Sequence, residues 1–439
     1  MVTNRGKAPT AQETFLQMAQ AAGLRGRVLV TIGLLLLVRV GIAIPLPGID
    51  RLRFSQALSS NTGLGGVLGF LDIFTGGGLS ALGVFALGIL PFINASIIIQ
   101  LLTAALPSLE DLQKNEGEAG RRKISQVTRY IALVWSILQG SAIAIWVNAY
   151  AYDPGPQFIV QTVVALSAGS MFVMWLGELI TEKGIGNGAS LLIFVNIVAT
   201  LPLSLGNTIE LAQNDQNAVG GIIILALVFL LTIVGIVFIQ EGTRKIPIIS
   251  ARRQVGRRMY QERSSYLPLR LNQGGVMPII FASTVLILPA YAAQVFSENE
   301  LVVRIVGYLQ PNGPTPWAYA LFYLTLILFF SYFYASLIIN PVDLSQNLKK
   351  MGSSIPGIRP GRATSEYIGK VLNRLTLLGA LFLGFVAIVP TAVESATRVQ
   401  TFQGFGATSL LILVGVAIDT SRQVQTYVIS QRYEGMVKQ

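Results

Sequence analysis

The chain has 439 residues, 52% of them hydrophobic and only 12% charged, with a formal net charge of +11, whereas an ordinary soluble domain is roughly a quarter charged. It has no cysteine and no histidine, which excludes disulfides, thiolate nucleophiles, imidazole bases and the commonest zinc ligands together. In a soluble protein such a basic excess points to nucleic acid; in a chain this apolar the basic residues must first be placed against a membrane.

Residues 1–27 are polar and of mixed charge, and are read as lying outside the membrane. The first apolar stretch, 28–44, is too long for a removable leader and lacks a small-residue cleavage site, so it is read as a resident span. Nine more runs follow, each long enough to cross about 30 Å of hydrocarbon as a helix of roughly 17–25 residues: 79–102, 130–149, 158–179, 189–205, 221–240, 275–292, 318–339, 371–390 and 402–420. The fifth, from Ala189, is short and interrupted near its end by Pro202. The fold class is therefore all-α: a polytopic membrane protein of ten transmembrane helices, with halves at 28–205 and 206–420 and a tail at 421–439.

Alternating the loops between two sides puts 26 of the 32 Lys and Arg on one side, 4 on the other (Arg51, Arg53, Arg304, Arg398) and 2 inside spans (Arg39, Arg374). Positive loops stay in the cytoplasm, so both termini are expected there. The richest loops are 241–273, with Arg244, Lys245, Arg252, Arg253, Arg257, Arg258, Arg263 and Arg270, and 341–370, with Lys349, Lys350, Arg359, Arg362 and Lys370. Trp146, Tyr150 and Tyr152 sit at an outer span end, where aromatics anchor helices to the interface. Five spans per half make the halves run in opposite directions, and apolar segments broken by Gly or Pro then mark the pathway. Two qualify: the short piece 67–74 followed by Thr75, Gly76, Gly77 and Gly78, and the seventh span, which opens Gly274-Gly275-Val276-Met277-Pro278. The halves show no residue-level repeat.

Chemistry inside a membrane needs convergent ionisable groups, and the spans hold Arg39, Glu178, Arg374 and Asp419 scattered over four of them. Glu178 and Asp419 lie near span ends, where snorkelling or a helix-end interaction accounts for them. The glycines of 184–188 (GIGNG) have neither a preceding strand nor the Lys-Ser/Thr that a phosphate loop requires. Energy for any transport has to come from outside the chain.

Specific motifs then accumulate in order: 85–102 (FALGILPFINASIIIQLL), 116–126 (EGEAGRRKISQ), 174–178 (MWLGE), 184–188 (GIGNG), 267–272 (LPLRLN) and 356–361 (PGIRPG). Together they resemble the SecY family, the central channel subunits of the Sec translocase, along nearly the whole chain. The stretch 70–78 (FLDIFTGGG) is more similar to the cyanobacterial or plastid branch.

The resemblance implies two inverted five-helix halves around a central pore, closed by a ring of aliphatic side chains and a short plug helix. Position by position, the ring would comprise Ile89, Ile93, Ile97, Ala189, Ile193, Ile280 and Ile412, with Ala189 smaller than the bulky residue usual there. The plug would be 67–78, including Leu71, Asp72 and Phe74, and the lateral gate would carry Asn94, Gln139 and Asn272. Arg252, Arg253, Arg257, Arg258 and Arg359 would dock the SecA motor and the ribosome through its RNA. Further implied partners are the small membrane subunits SecE and SecG, unfolded secretory and membrane proteins, and the lipid bilayer; no cofactor is implied. The chain would be a passive channel in the plasma membrane, or in a thylakoid membrane if cyanobacterial, releasing apolar segments sideways into lipid.

Residue patterns alone leave alternatives. An i, i+4, i+8 isoleucine stripe lies on one helix face, as do lipid-facing and packed stripes. The subspanning piece 67–78 also fits an interfacial segment, the polar gate residues also fit interhelical hydrogen bonds, and the basic loops also fit topology signals. A solute transporter would instead place polar ligands at mid-membrane, and an insertase would present a hydrophilic groove.

Overall fold

The computed structural model describes residues 22–51, 53–54, 72–114, 117–214, 216–250, 254–255, 258–259, 264–295, 304, 306, 308, 315–397 and 407–437. Its helices are α1 (Ala22–Ala43), α2 (Leu90–Ala105), α3 (Pro107–Lys114), α4 (Gly117–Val147), α5 (Pro156–Lys183), α6 (Gly188–Asn214), α7 (Gln216–Glu241), α8 (Met277–Val295), α9 (Pro316–Ile338), α10 (Pro341–Lys350), α11 (Arg362–Thr397) and α12 (Ala407–Val437). Each of the ten apolar stretches meets one of them. Among the described residues seven helices are long and apolar enough to cross a membrane, while α2 and the start of α8 are apolar but shorter.

The second span departs most from the sequence reading, because α2 begins at Leu90 and residues 79–89 form turns. Two features stop the helix from reaching back. Leu82 and Gly88 have left-handed φ of 45° and 54°, and the turns pair with the chain leaving α1: Leu46 N–H donates to Leu82 O (3.0 Å) and Val84 N–H to Ile44 O (2.9 Å). A Cβ on Gly83 would sit 2.2 Å from Ile42 O, so only glycine allows this approach. Pro91 then stands in the first turn of α2, where its missing N–H leaves no gap in the helix ladder.

The chain divides into two compact units, Met1–Gly206 with Val416–Gln439, and Asn207–Gly415. In the first, α4 packs on α2 and α5, and α5 packs on α1. Phe54 is buried edge-on against Trp146 and Tyr150, with ring centroids 5.1 and 5.6 Å away. These two aromatics therefore tie the chain after α1 to the end of α4, while Tyr152 stays exposed.

The glycines of 184–188 build the joint between α5 and α6. Gly186 is left-handed (φ 84°), and a Cβ on Gly188 would lie 1.8 Å from Gly177 O, so the two helices meet backbone to backbone. The turn's amides are committed within the protein: Ile185 N–H donates to Thr31 Oγ1 (3.0 Å), Gly188 N–H to Thr181 Oγ1 (2.8 Å), and Ala189 N–H to Asn187 Oδ1 (3.0 Å). Asn187 acts as an N-terminal cap for α6.

In the second unit α9 packs on α8 and α11, and α11 also receives α7 and α10. The basic loop after α7, read from its sequence as a long cytoplasmic loop, carries strands β1 (Thr243–Ser250), β2 (Gln254–Val255), β3 (Arg258–Met259) and β4 (Ser264–Arg270). β1 and β4 pair antiparallel from Thr243↔Arg270 to Ile249↔Ser264, and β5 (Ser353–Ser354) adds to the other edge of β1.

Gly188→Ala is expected to destabilise the α5–α6 joint by about 1–3 kcal/mol, as overpacking against backbone does. Gly206→Ala, where nothing lies within 4 Å, should leave stability unchanged or slightly raised. Thermal unfolding of the two variants in detergent measures the contrast.

Candidate functional site

Residues 72–89, ahead of α2, are largely irregular and buried, so their backbone groups need partners. Asp72–Thr75 make one helical turn, after which Gly76 and Gly77 are left-handed (φ 69° and 86°). Gly76 N–H donates to Ile73 O (3.2 Å) and Gly77 N–H to Asp72 O (2.9 Å). Side chains complete the set. Asp72 Oδ1 accepts from Ser80 N–H (2.8 Å), Thr75 Oγ1 accepts from Leu79 N–H (3.2 Å), and Ser170 of α5 donates to Gly88 O (3.0 Å). Burial pushes the Asp72 carboxyl above the usual carboxylate range, partly offset by the bonds it accepts from Ser80 and Leu79. Phe74 is buried here; Leu71 lies outside the described residues.

Two longer-range donors also reach this segment. Arg39 of α1 donates from Nη1 to Gly76 O (2.8 Å), and Asn196 of α6 donates from Nδ2 to Phe74 O (2.8 Å). Sequence reading left Arg39 as a scattered intramembrane charge and passed over Asn196. The available signal was a buried-side polar residue in an apolar span near a glycine-rich segment that needed donors.

All six isoleucines of the expected ring are buried, none more than 7% exposed. They do not face lipid. Ile89, Ile93, Ile97, Ala189 and Ile193 belong to the first unit, Ile280 and Ile412 to the second. Ile89 is the N-cap residue of α2, so the stripe starts at the helix end. Its Cδ1 would contact a Cβ on Gly177 at 3.2 Å, with Ala189 N at 3.8 Å from the same point, which sets Ile89 beside the α5–α6 joint. Ala189 is half-buried.

The expected gate residues behave differently from one another. Asn94 on α2 and Gln139 on α4 are buried, and their side-chain oxygens have no hydrogen-bond partner among the described residues. Such an orphan acceptor costs about 1–3 kcal/mol. Asn272 is instead engaged locally, donating from Nδ2 to Gly275 O (2.7 Å) and shaping the turn into α8.

The described parts of the two basic loops share one folded body. Ile246 and Ile248 of β1 and Leu269 of β4 are buried with Leu348 of α10, Ile355 after β5, and Ile368, Leu372 and Leu375 of α11. Each such aliphatic stabilises by about 1.5–3 kcal/mol when fully buried. The opposite face of the hairpin presents Lys245, Pro247, Tyr266 and Pro268 to solvent. The alternation Lys245-Ile246-Pro247-Ile248 is the period-2 signal that could have revealed the strand. Beside the sheet, Arg359 is exposed in a turn shaped by left-handed Gly357 and Gly361 (φ 78° and 111°). Thr364 fastens this turn by donating to Arg359 O (2.9 Å), and Ser345 by donating to Gly361 O (2.7 Å). Arg252, Arg253 and Arg257 lie outside the described residues, and Arg258 is in β3. Glu178, read as a helix-end charge, makes a two-pronged ion pair with Arg129 of α4, at 3.0 Å to Nε and 2.9 Å to Nη2.

Comparison with known proteins fits this arrangement. The SecY family model matches residues 83–421. A curated relative from Synechococcus elongatus, named protein translocase subunit SecY, is 75% identical over 439 residues and covers the whole of both chains. Among solved structures, one described as a protein-conducting channel matches with a TM-score of 0.66 at 17% identity, covering 91% of each chain. The Sec61 channel of a canine ribosome–channel complex from the endoplasmic reticulum matches at 0.63 and 16%, again covering 91% of each. With a family match over most of its length and a relative identical at three positions in four, the chain belongs to the SecY family.

Proposed function

We propose that the chain is the pore-forming subunit of a Sec protein translocase, passing unfolded secretory proteins across the membrane and releasing apolar segments sideways into lipid. The observation that carries this reading is the burial of six isoleucines at the positions of the family's ring. A dry aliphatic constriction gates by dewetting and offers a passing chain neither charge nor hydrogen bond. That suits a substrate of any sequence. Residues 72–78 are read as part of a plug that fills the resting pore, and Asn94, Gln139 and Asn272 as polar members of a lateral gate. The unmet oxygens of Asn94 and Gln139 support a seam that costs little to part.

The basic body built on β1, β4, β5 and α10 is read as the docking platform, on the cytoplasmic side with both termini. Its exposed Arg359 and the cluster Arg252 to Arg258 suit carboxylate and phosphate partners, here the SecA motor and ribosomal RNA. SecE and SecG would complete the complex in the plasma membrane, with the thylakoid membrane as the other site that a cyanobacterial relative brings into play. The channel is passive in this reading, and its partners supply the energy.

Polar residues in the ring should wet it. Ile412→Asn and Ile93→Ser are expected to raise resting ion conductance in planar bilayers and to relax the demand for a good signal sequence. Unchanged conductance and selectivity in both would remove the ring assignment.

Charge reversal on the platform should uncouple the channel without unfolding it, because exposed substitutions normally shift stability by less than about 0.5 kcal/mol. Arg359→Glu is expected to abolish motor-driven export into vesicles while its membrane assembly stays normal. Reversing Arg257 and Arg258 together should weaken ribosome cosedimentation, and added salt should do the same to the parent protein. Normal export by Arg359→Glu, with ribosome binding that ignores both changes, would leave the loops as topology signals.

A further inference from the structure

We propose that Arg39 and Asn196 form a latch that holds the segment 72–78 in its resting place, and that this latch sets how strong a signal sequence must be to open the channel. The proposal rests on the plug reading above. Its evidence is the way one short turn is gripped from two spans.

The turn satisfies part of its own backbone, through Gly76 N–H to Ile73 O and Gly77 N–H to Asp72 O. Phe74 O and Gly76 O receive donors from elsewhere: Asn196 Nδ2 on α6 and Arg39 Nη1 on α1, each at 2.8 Å. Both donors lie in the first unit. A charged donor makes the stronger kind of hydrogen bond, and a guanidinium within a span is costly to leave without an acceptor. The grip is therefore firm while the turn is present.

Gly76 lies where the two side chains converge. A Cβ there would be 2.6 Å from Arg39 Nη1 and 2.7 Å from Asn196 Oδ1, so those two atoms flank the same point. Asn196 Oδ1 is buried and has no hydrogen-bond partner among the described residues. This gives the device a second position. When the turn withdraws, Arg39 loses Gly76 O but has the unused Asn196 oxygen close by, so the released cation is not stranded. An incoming signal segment then has to supply only the difference between two satisfied arrangements. Gly76 is required twice over, for its left-handed φ of 69° and for the space its missing side chain leaves.

The chain has no cysteine, so Ile73→Cys provides a single reporter on a residue buried in the resting turn. Its labelling by a membrane-impermeant maleimide from the outer side is measured in spheroplasts, at rest and with a stalled secretory chain engaged. Arg39→Gln and Asn196→Leu are each expected to speed resting labelling about tenfold, equivalent to about 1.4 kcal/mol, and to export a substrate with a weakened signal. Arg39→Lys keeps a cationic donor and should restore slow labelling, which general loosening of α1 would not do. Resting labelling unchanged in both Arg39→Gln and Asn196→Leu, while engagement still speeds it in the parent, would overturn the latch and leave the plug standing. If engagement does not speed labelling in the parent, the plug reading fails and the latch with it.

Discussion

Hydrocarbon offers a backbone amide no partner, so every peptide group the chain carries into the membrane must be satisfied by the protein itself. Helices α1 to α12 meet that demand along most of the described length. Where the backbone leaves the helix among them, polar side chains take over: Arg39, Asn196 and Ser170 around residues 72–88, and Thr31, Thr181 and Asn187 around the α5–α6 joint. These six polar side chains thus share one role. They make irregular backbone tolerable at the places where the fold needs it.

The same constraint separates the molecule's two kinds of surface. Apolar helices such as α7 expose Leu230 and Phe238, as lipid contact allows. In the proposed reading the six buried isoleucines form the ring and offer a translocating chain no polar group to bind. Charge is concentrated instead on a body with its own aliphatic core around Ile246, Leu269, Leu348 and Ile368. Because β5 joins the edge of β1, the described parts of the two basic loops are held together, and Thr364 at the start of α11 ties down the turn that carries Arg359. No cluster of potential metal ligands occurs among the described residues.

Much of the fold was legible in the sequence because length and apolarity are what a span requires; the ten stretches were found on those grounds alone. The start of α2 was misjudged because composition does not register the left-handed Leu82 and Gly88 or the close approach at Gly83. The hairpin of β1 and β4 was obscured because dense Arg and Lys outweighed a four-residue alternation. Ring positions could not be separated from lipid-facing ones by pattern, since apolar residues occur all round a membrane helix, and only the family resemblance selected them. Arg39 was visible as an anomaly, but its acceptor is a backbone carbonyl, which no sequence pattern marks.

The central claim is that a passing polypeptide travels along the buried isoleucines and not along the outside of the bundle. A photoactivatable residue placed in turn at Ile93, at Ile412 and at the lipid-exposed Leu230, with a secretory chain stalled midway, tests it directly. Crosslinks to the stalled chain from Ile93 and Ile412 and none from Leu230 are expected. A stalled, membrane-protected chain that crosslinks to Leu230 but to neither isoleucine would contradict it.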